Sequence, residues 1–416
     1  MHRHLSRLTA TVALAGSAAG ALGAGFQVSE HSASGLGRAF AGEAAIAENA
    51  AVLARNPAAM NYFDTMQISV AGTAVIPNID VKDKSNSQTA EGIAPTALVP
   101  GAYYIAPVND VWSFGLALYT DYGVTTEYPK DWAAGDNGGL TGLKTVKLSP
   151  NFSFRLYEGL SFGFGVALIY GDAELERHLG ALAPLFNKKP SDLLISMSGD
   201  AYDWGWNTGL FYEVNDNHRF GLTYKSEVNL KFEGDFKDYT GAITGTEGLK
   251  VDGNLDLLLP AIAEFAGYHD IDKNWSIQYS VNWTQWSRFK EIRATNPICN
   301  AQGAAGVCFL KEENYKDSWQ YSIGATTDVA DEWKIRFGIS YDERAGQPTL
   351  SIPDANRYWL SFGSTWDFAE HQSIDAGYTF IFSESNTFSE EGLTGSGPYE
   401  ATGNASLFAL QYNYSF

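Results

Sequence analysis

One pattern rules out most folds for this chain. From Met66 onward, segments of about ten residues alternate apolar and polar side chains, as membrane-crossing strands do. Met66, Ile68, Val70, Ala74 and Ile76 share one face of the first segment. Trp112, Phe114, Leu116 and Leu118 do so in another, as do Leu160, Phe162, Phe164, Val166, Leu168 and Tyr170. Trp275, Ile277, Tyr279, Val281 and Trp283, and then Trp333, Ile335, Phe337, Ile339 and Tyr341, repeat the rule. A period of two places each set on one side of a sheet. Fourteen such segments begin near Met66, Thr96, Val111, Lys144, Leu160, Ala201, Arg219, Leu249, Trp275, Asp317, Trp333, Asn356, Ser373 and Ala401.

The breaks carry a second regularity. Short turns fall near Val108-Asn109-Asp110, Tyr157-Glu158-Gly159, Asn215-Asp216-Asn217, Asp272-Lys273-Asn274, Asp331-Glu332 and Ala369-Glu370-His371. Long loops occupy roughly 77–95, 122–143, 178–200, 230–248, 288–316, 343–355 and 385–400. Six short and seven long connections alternate strictly. This parity predicts an all-β membrane protein, a 14-stranded antiparallel outer-membrane β-barrel with short turns on the periplasmic side. Closure satisfies every backbone group in lipid. A soluble sandwich predicts neither one-sided loop lengths nor such uniformly apolar outward faces. The alternation continues through Phe408, Leu410, Tyr412 and Tyr414 to Phe416. That ending resembles the C-terminal signature of outer-membrane barrels, which implies handling by the barrel-assembly machinery.

Composition agrees. Aromatic residues make up 14% and charged residues only 18%, which suits a chain with much apolar surface and interfacial rings. The formal charge of −20 argues against nucleic acid as a partner. His2, Arg3, His4 and Arg7 precede an Ala-rich run from Leu8 to Leu22, and Ala21 and Gly23 suit a cut before Ala24. Residues 1–23 are therefore expected to be a signal peptide. No later run is long and apolar enough for a spanning helix. Cys299 and Cys308, in an oxidising compartment, are expected to staple a local loop rather than to hold a metal or act as a nucleophile.

Between the signal and the first strand lies a block that does not read as wall. Residues 24–65 are rich in Gly, Ala and Ser, carry Asn56-Pro57-Ala58, and lack the two-residue alternation. A small-residue block ahead of a barrel is a candidate plug, leaving 66–416 as the barrel. Here a resemblance emerges. Ala24-Gly25-Phe26-Gln27, Ser34-Gly35-Leu36-Gly37-Arg38-Ala39-Phe40, Gly42-Glu43 and Arg55-Asn56-Pro57-Ala58 together resemble the outer-membrane long-chain fatty-acid transporter family, the FadL type. Further along, Ile93-Ala94-Pro95-Thr96-Ala97, Ala106-Pro107-Val108-Asn109-Asp110, Tyr122-Gly123, Glu176-Arg177, Gly205-Trp206-Asn207, Lys225-Ser226-Glu227, Lys316-Asp317 and Ser351-Ile352-Pro353-Asp354 are similar to it. The ordered set, not any one tripeptide, carries the resemblance, and it spans the mature chain.

The resemblance implies a barrel closed by an N-terminal hatch and passive uptake of hydrophobic molecules through a side opening. It implies that Arg177 and Lys316 meet a ligand carboxylate; read from spacing alone, both are ordinary rim cations. It implies that Phe26, at the hatch tip, enters the ligand pocket, and that Asn56, Pro57 and Ala58 act at the hatch, where a plain turn is the other reading. It implies a kink at Asp121-Tyr122-Gly123 that opens the wall; the other reading is a strand that simply ends. The spacing of Leu179, Leu182, Leu185 and Phe186 predicts a short amphipathic helix, either collecting greasy solutes or packing on the barrel mouth.

The expected function is uptake of long-chain fatty acids with lateral exit, the alternative being neutral aromatic or aliphatic hydrocarbons by the same route. The expected partners are a hydrophobic small molecule, outer-membrane lipid and lipopolysaccharide, acting on a monomer. No cofactor is expected, and no Walker A or Ser/His/Asp motif suggests an energy-coupled pump or an enzyme. A general porin is the remaining rival, distinguishable by its conductance.

Overall fold

The computed structural model describes residues 24–301, 303–395 and 397–416; the predicted signal segment lies outside them. The wall strands are β1 (Gln67–Asp83), β2 (Ala97–Pro107), β3 (Trp112–Tyr119 and Gly123–Glu127), β4 (Leu140–Tyr157), β5 (Leu160–His178), β6 (Leu193–Asn215) and β7 (His218–Lys225 and Val228–Asp238). The second half comprises β8 (Lys250–Leu259 and Ile262–Asp270), β9 (Trp275–Thr284 and Glu291–Ala301), β10 (Ala304–Glu312 and Ser318–Ala330), β11 (Trp333–Asp342), β12 (Arg357–Ala369), β13 (Gln372–Ser383) and β14 (Tyr399–Ser415). Each pairs antiparallel with the next. β14 pairs with β1 from Gln67 opposite Ser415 to Asp83 opposite Tyr399, which closes the barrel. Closure removes both sheet edges, the only way a sheet can stand in lipid.

The alternation sorts as expected. Ile277, Ile323, Phe337, Ile339, Leu360 and Phe362 point outward and are exposed. Trp275, Trp333, Trp366 and Phe416 ring the short-turn end, while Tyr202, Trp204, Trp206, Trp319 and Tyr358 ring the other. Such girdles place amphipathic rings at the two interfaces. Inward positions are Ser, Thr, Asn and Gln, among them Ser69, Thr73, Asn151, Ser280, Thr379 and Gln411, all buried.

Several expected loops are strand. The span 288–316 is largely a hairpin of Glu291–Ala301 and Ala304–Glu312, and β6 starts at Leu193 rather than near Ala201. Above the outer leaflet both faces of a strand meet water or loops. The ladder therefore continues while the apolar-outward pattern that reveals it stops.

Residues 24–61 fill the lumen. Small side chains let short helical turns pack closely: Ala33–Leu36, Glu43–Ile46, Ala50–Ala54 and Pro57–Tyr62. Ser32, Asn49 and Asn56 cap three of them with side-chain oxygens, satisfying amide groups that a one-turn helix leaves free. Ion pairs bind this hatch to itself and to the wall. Arg38 pairs with Glu43 at 2.5 Å and Glu48 at 2.7 Å, Arg336 of β11 also pairs with Glu48, and Arg55 reaches Glu264 of β8 at 3.4 Å.

Candidate functional site

The wall has a window. β2 and β3 pair only from Ala102 opposite Leu118 to Pro107 opposite Ser113. Above that point the upper piece of β3 pairs with β4 alone, Gly123 opposite Lys144 to Glu127 opposite Leu140. β2 there, from Ala97 to Gly101, keeps only its partner β1. The Glu127 amide donating to the Ile93 carbonyl at 2.7 Å closes the top. Thr120, Asp121 and Tyr122 form the break between the two pieces, so the predicted kink lies here, with Gly123 as the first residue beyond it.

The hatch takes over the pairing that β2 gives up. The Val28 amide donates to the Asp121 carbonyl at 2.8 Å, and the Gly123 amide donates to the Phe26 carbonyl at 2.9 Å. The Asp121 carboxylate turns inward, between Lys225 at 2.5 Å and Lys147 at 3.1 Å, with His31 Nε2 at 3.3 Å. His31 Nε2 also lies 2.9 Å from the Thr120 carbonyl, which can only accept, so the imidazole carries its proton there. Burial pushes His31 down to about 4 and keeps it neutral. The Tyr122 hydroxyl donates to the Pro260 carbonyl at 2.5 Å, satisfying a group freed by the break in β8.

Phe26 is 1% exposed. Its ring sits edge-on against Trp286 at 4.6 Å, Phe289 at 5.2 Å and Tyr122 at 5.8 Å. Gly25 beside it has φ +60°, and a Cβ there would come within 2.9 Å of the Trp286 ring. Only glycine fits that conformation and that approach. Phe26 also forms one wall of an apolar cavity of about 730 Å³, lined further by Val124, Leu143, Leu175, Phe232, Leu257 and Ile292. Ala173, Gly199, Gly234 and Gly253, in register across β5 to β8, line it too, and Gly199 and Gly234 let neighbouring backbones approach where a Cβ would strike them. A second cavity of about 680 Å³ shares Val124 and Ile352 with the first and extends to Ile79 and Ala94.

The cations are not paired as expected. Arg177 is buried and gives Nη1 to the Leu140 and Glu176 carbonyls and Nη2 to Thr141 Oγ1 at 3.1 Å and Ser351 Oγ at 2.8 Å. The second cation at Ser351 is Lys311, donating at 2.7 Å, and it also pairs with Glu390 at 2.8 Å. Lys316 is exposed, lines neither cavity, and does not join Arg177. Ser351 brings Arg177 together with Lys311, and not with Lys316. Lys316 lies between the two pieces of β10, where the chain has left the ladder. Lys311 is still in it, opposite the cavity-lining Ile292. Ser351, the common acceptor, carried no sequence signal beyond its place in Ser351-Ile352-Pro353-Asp354. Thr141 and Ile352 line the cavity, so the two cations stand at its edge. Burial, with Glu390 nearby and Lys311 only partly offsetting it, pushes Glu313 up to about 8.

The predicted helix after Arg177 forms as a 3₁₀ segment, Gly180–Phe186, but its stripe is not open to solvent. Leu179 and Leu182 are buried against Cys299, Cys308 and Phe236, Phe186 is half-buried, and only Leu185 stands out at 79%. Packing on the mouth replaces collection by an exposed stripe, because the β9–β10 hairpin supplies a complementary apolar face. A disulfide joins Cys299 and Cys308 across that hairpin. Asn56 is a bolt: its Nδ2 donates to the Ala44 carbonyl at 2.7 Å and to the Leu210 carbonyl of β6 at 3.0 Å. The Ala58 carbonyl accepts from Ser153 of β4, and Pro57 starts its short helix. Sequence reading missed Trp286 and Phe289: Phe289 sits in the expected loop 288–316, and Trp286 falls between that loop and the alternating set that ends at Trp283.

Known proteins share the fold. The profile of the family described as outer membrane protein transport protein (OMPP1/FadL/TodX) matches residues 13–416. A long-chain fatty acid transport protein of Escherichia coli O6:H1 is 36% identical over 94% of each chain. A 47 kDa outer membrane protein of Pasteurella multocida is 39% identical over 99% of each. Among solved structures, a Pseudomonas aeruginosa FadL homologue superposes with a TM-score of 0.83 at 22% identity, covering 94% of this chain and 100% of that one. The Pseudomonas putida toluene transporter TodX gives 0.72 at 20% identity, covering 94% and 99%. These two likenesses are of fold. With a family match across nearly the whole chain and a closed, hatched barrel beneath it, the protein belongs to the outer membrane protein transport family, as a non-enzymatic barrel of the outer membrane.

Proposed function

We propose that the protein carries long-chain fatty acids inward by passive diffusion, through the central cavity and out sideways between β2 and β3. The observation that carries this is the joining of an apolar cavity of about 730 Å³ to two buried cations at one edge and to the Phe26-closed window at another. Relatives 36% identical over most of the chain and named for long-chain fatty acid transport support the choice of substrate.

The side exit follows from energetics. Each methylene taken out of water contributes about 0.8 kcal/mol, so a ten-carbon stretch holds on the order of 8 kcal/mol gross. Release into periplasmic water forfeits that, whereas release into the bilayer keeps it. Displacing Phe26 costs its aromatic contacts, and an entering acyl chain offsets them with its own burial. Arg177 spends its Nη1 and Nη2 groups on protein acceptors, and Lys311 spends two of its three Nζ donors on Ser351 and Glu390, so a carboxylate takes the third and competes with Glu390 for Lys311.

Palmitate binding by Lys311→Ala, set against binding of hexadecane, tests the substrate class. The proposal expects palmitate to weaken and hexadecane to hold. Equal binding of palmitate by both proteins would favour the neutral-hydrocarbon reading, which the apolar lining also accommodates.

A further inference from the structure

The wall ladder is also interrupted between β8 and β9. β8 and β9 pair up to Ile262 opposite Thr284 and resume at Asp256 opposite Arg293. Between these points residues 257–261 face 285–292 without a ladder, crossed by one backbone bond from the Gln285 amide to the Ala261 carbonyl at 2.9 Å. On the outer face of this break lies a groove of about 670 Å³ that includes Leu258, Lys290 and Arg293. Asn254 and Phe289 line both this groove and the central cavity. Phe289 is thus the partition between the lumen and the outside, and its inner side touches Phe26.

The position and charge of the break suggest what passes. It begins just beyond Trp283, whose cross-strand partner is the exposed outer-belt Trp319, so it opens at the headgroup level of the outer leaflet. Arg288, Lys290 and Arg293 are exposed along its rim. Arg288 pairs with Glu227 at 2.9 Å and Arg293 with Glu291 at 2.6 Å, and Asp256 also faces the groove. Among the described residues no carboxylate forms an ion pair with Lys290. An anion at the rim therefore finds a free ammonium within reach of an apolar partition.

We propose that this break is a lateral inlet, through which long-chain anionic amphiphiles already dissolved in the outer leaflet reach the central cavity. This rests on the reading of that cavity as a fatty-acid site. The carboxylate is held at Lys290 while the tail passes Phe289. Long acyl chains partition strongly into lipid, so the leaflet is where most of such a ligand waits. An inlet at this level spares it the return to water that capture at the loops requires. Phe26 packs against both Tyr122 at the β2–β3 window and Phe289 at this inlet, so one hatch residue braces both openings.

The test uses Leu258→Cys in the full-length protein, where the two native cysteines are already bonded to each other. A bulky maleimide at this thiol fills the outer groove without entering the central cavity; Asn229→Cys, opposite Leu258 on the groove wall, is the second position should the first fail to fold. The inlet predicts that bulky labelling lowers palmitate uptake by cells severalfold, that a small methylthio label does not, and that palmitate binding to the purified labelled protein is unchanged. Full uptake by completely labelled, palmitate-binding protein would overturn the inlet and leave the groove a contact for lipid A alone. Failure of the unlabelled protein to bind palmitate would overturn the reading of the cavity itself, and the inlet with it.

Discussion

At the scale of single residues, the site turns on Lys311, Glu313 and Phe26. Replacing Lys311 with Ala removes a charge-assisted partner for a carboxylate and should weaken palmitate binding about tenfold, or ~1.4 kcal/mol. Lys316→Ala, altering an exposed cation, should change it little; equilibrium titration of both variants checks the contrast. Glu313 adds a pH dependence. Its carboxyl, pushed up to about 8, is neutral below that pH and becomes a buried carboxylate near Lys311 above it. Burial thus favours the protonated form, and the stability this lends is full below the ordinary carboxylate range and lost as pH rises through about 8. Once ionised, Glu313 also competes for Lys311, so palmitate affinity should fall as pH rises past about 8, and Glu313→Gln should flatten that fall. Phe26→Ala leaves a void among Tyr122, Trp286 and Phe289 and should cost about 3 kcal/mol of local packing, read as faster hydrogen exchange at the Gly123 amide. Phe26 was legible because the hatch motif begins beside it. The choice of Lys311 over Lys316 was not, because above the leaflet no lipid enforces which side chains face in.

At the scale of elements, breaks in strands carry the proposed function. The β3 break was read from a glycine, but a charge cluster holds it. Asp121 sits between two buried lysines, so Asp121→Ala leaves Lys147 and Lys225 uncompensated and should cost about 3–5 kcal/mol, measured by denaturant unfolding of the refolded barrel. The partners come from β4 and β7, too distant in sequence for any local pattern to connect. The disulfide acts on one hairpin alone. Replacing Cys299 and Cys308 with Ser should leave the barrel closed but make the β9–β10 hairpin more protease-sensitive, consistent with loss of roughly 3 kcal/mol of loop constraint. Limited proteolysis followed by mass spectrometry locates the cuts. The leucine stripe after Arg177 shows the converse limit: periodicity revealed an amphipathic segment, but its covering face lies on the hairpin of Cys299 and Cys308.

At the scale of the whole molecule, a barrel and its hatch divide the work. Lipid constrains the outward face at every second residue, and strand connections must alternate sides, so the fourteen-stranded wall was written in alternation and loop parity. The hatch lacks a period, and only its composition and motif order marked it. Its body is fastened by Asn56, Arg55 and Arg38, while its tip at Phe26 stands against the gaps in the β2–β3 and β8–β9 ladders. On the proposed route the hatch directs an oily ligand sideways rather than stopping water. The most direct test is palmitate uptake by cells carrying Gly123→Arg, with barrel folding confirmed and palmitate binding by the purified protein measured in parallel. Exit between β2 and β3 predicts that binding persists while uptake is lost, because a long charged side chain then stands in the window. Uptake at the unaltered rate, from a folded and binding-competent barrel, would contradict the lateral route.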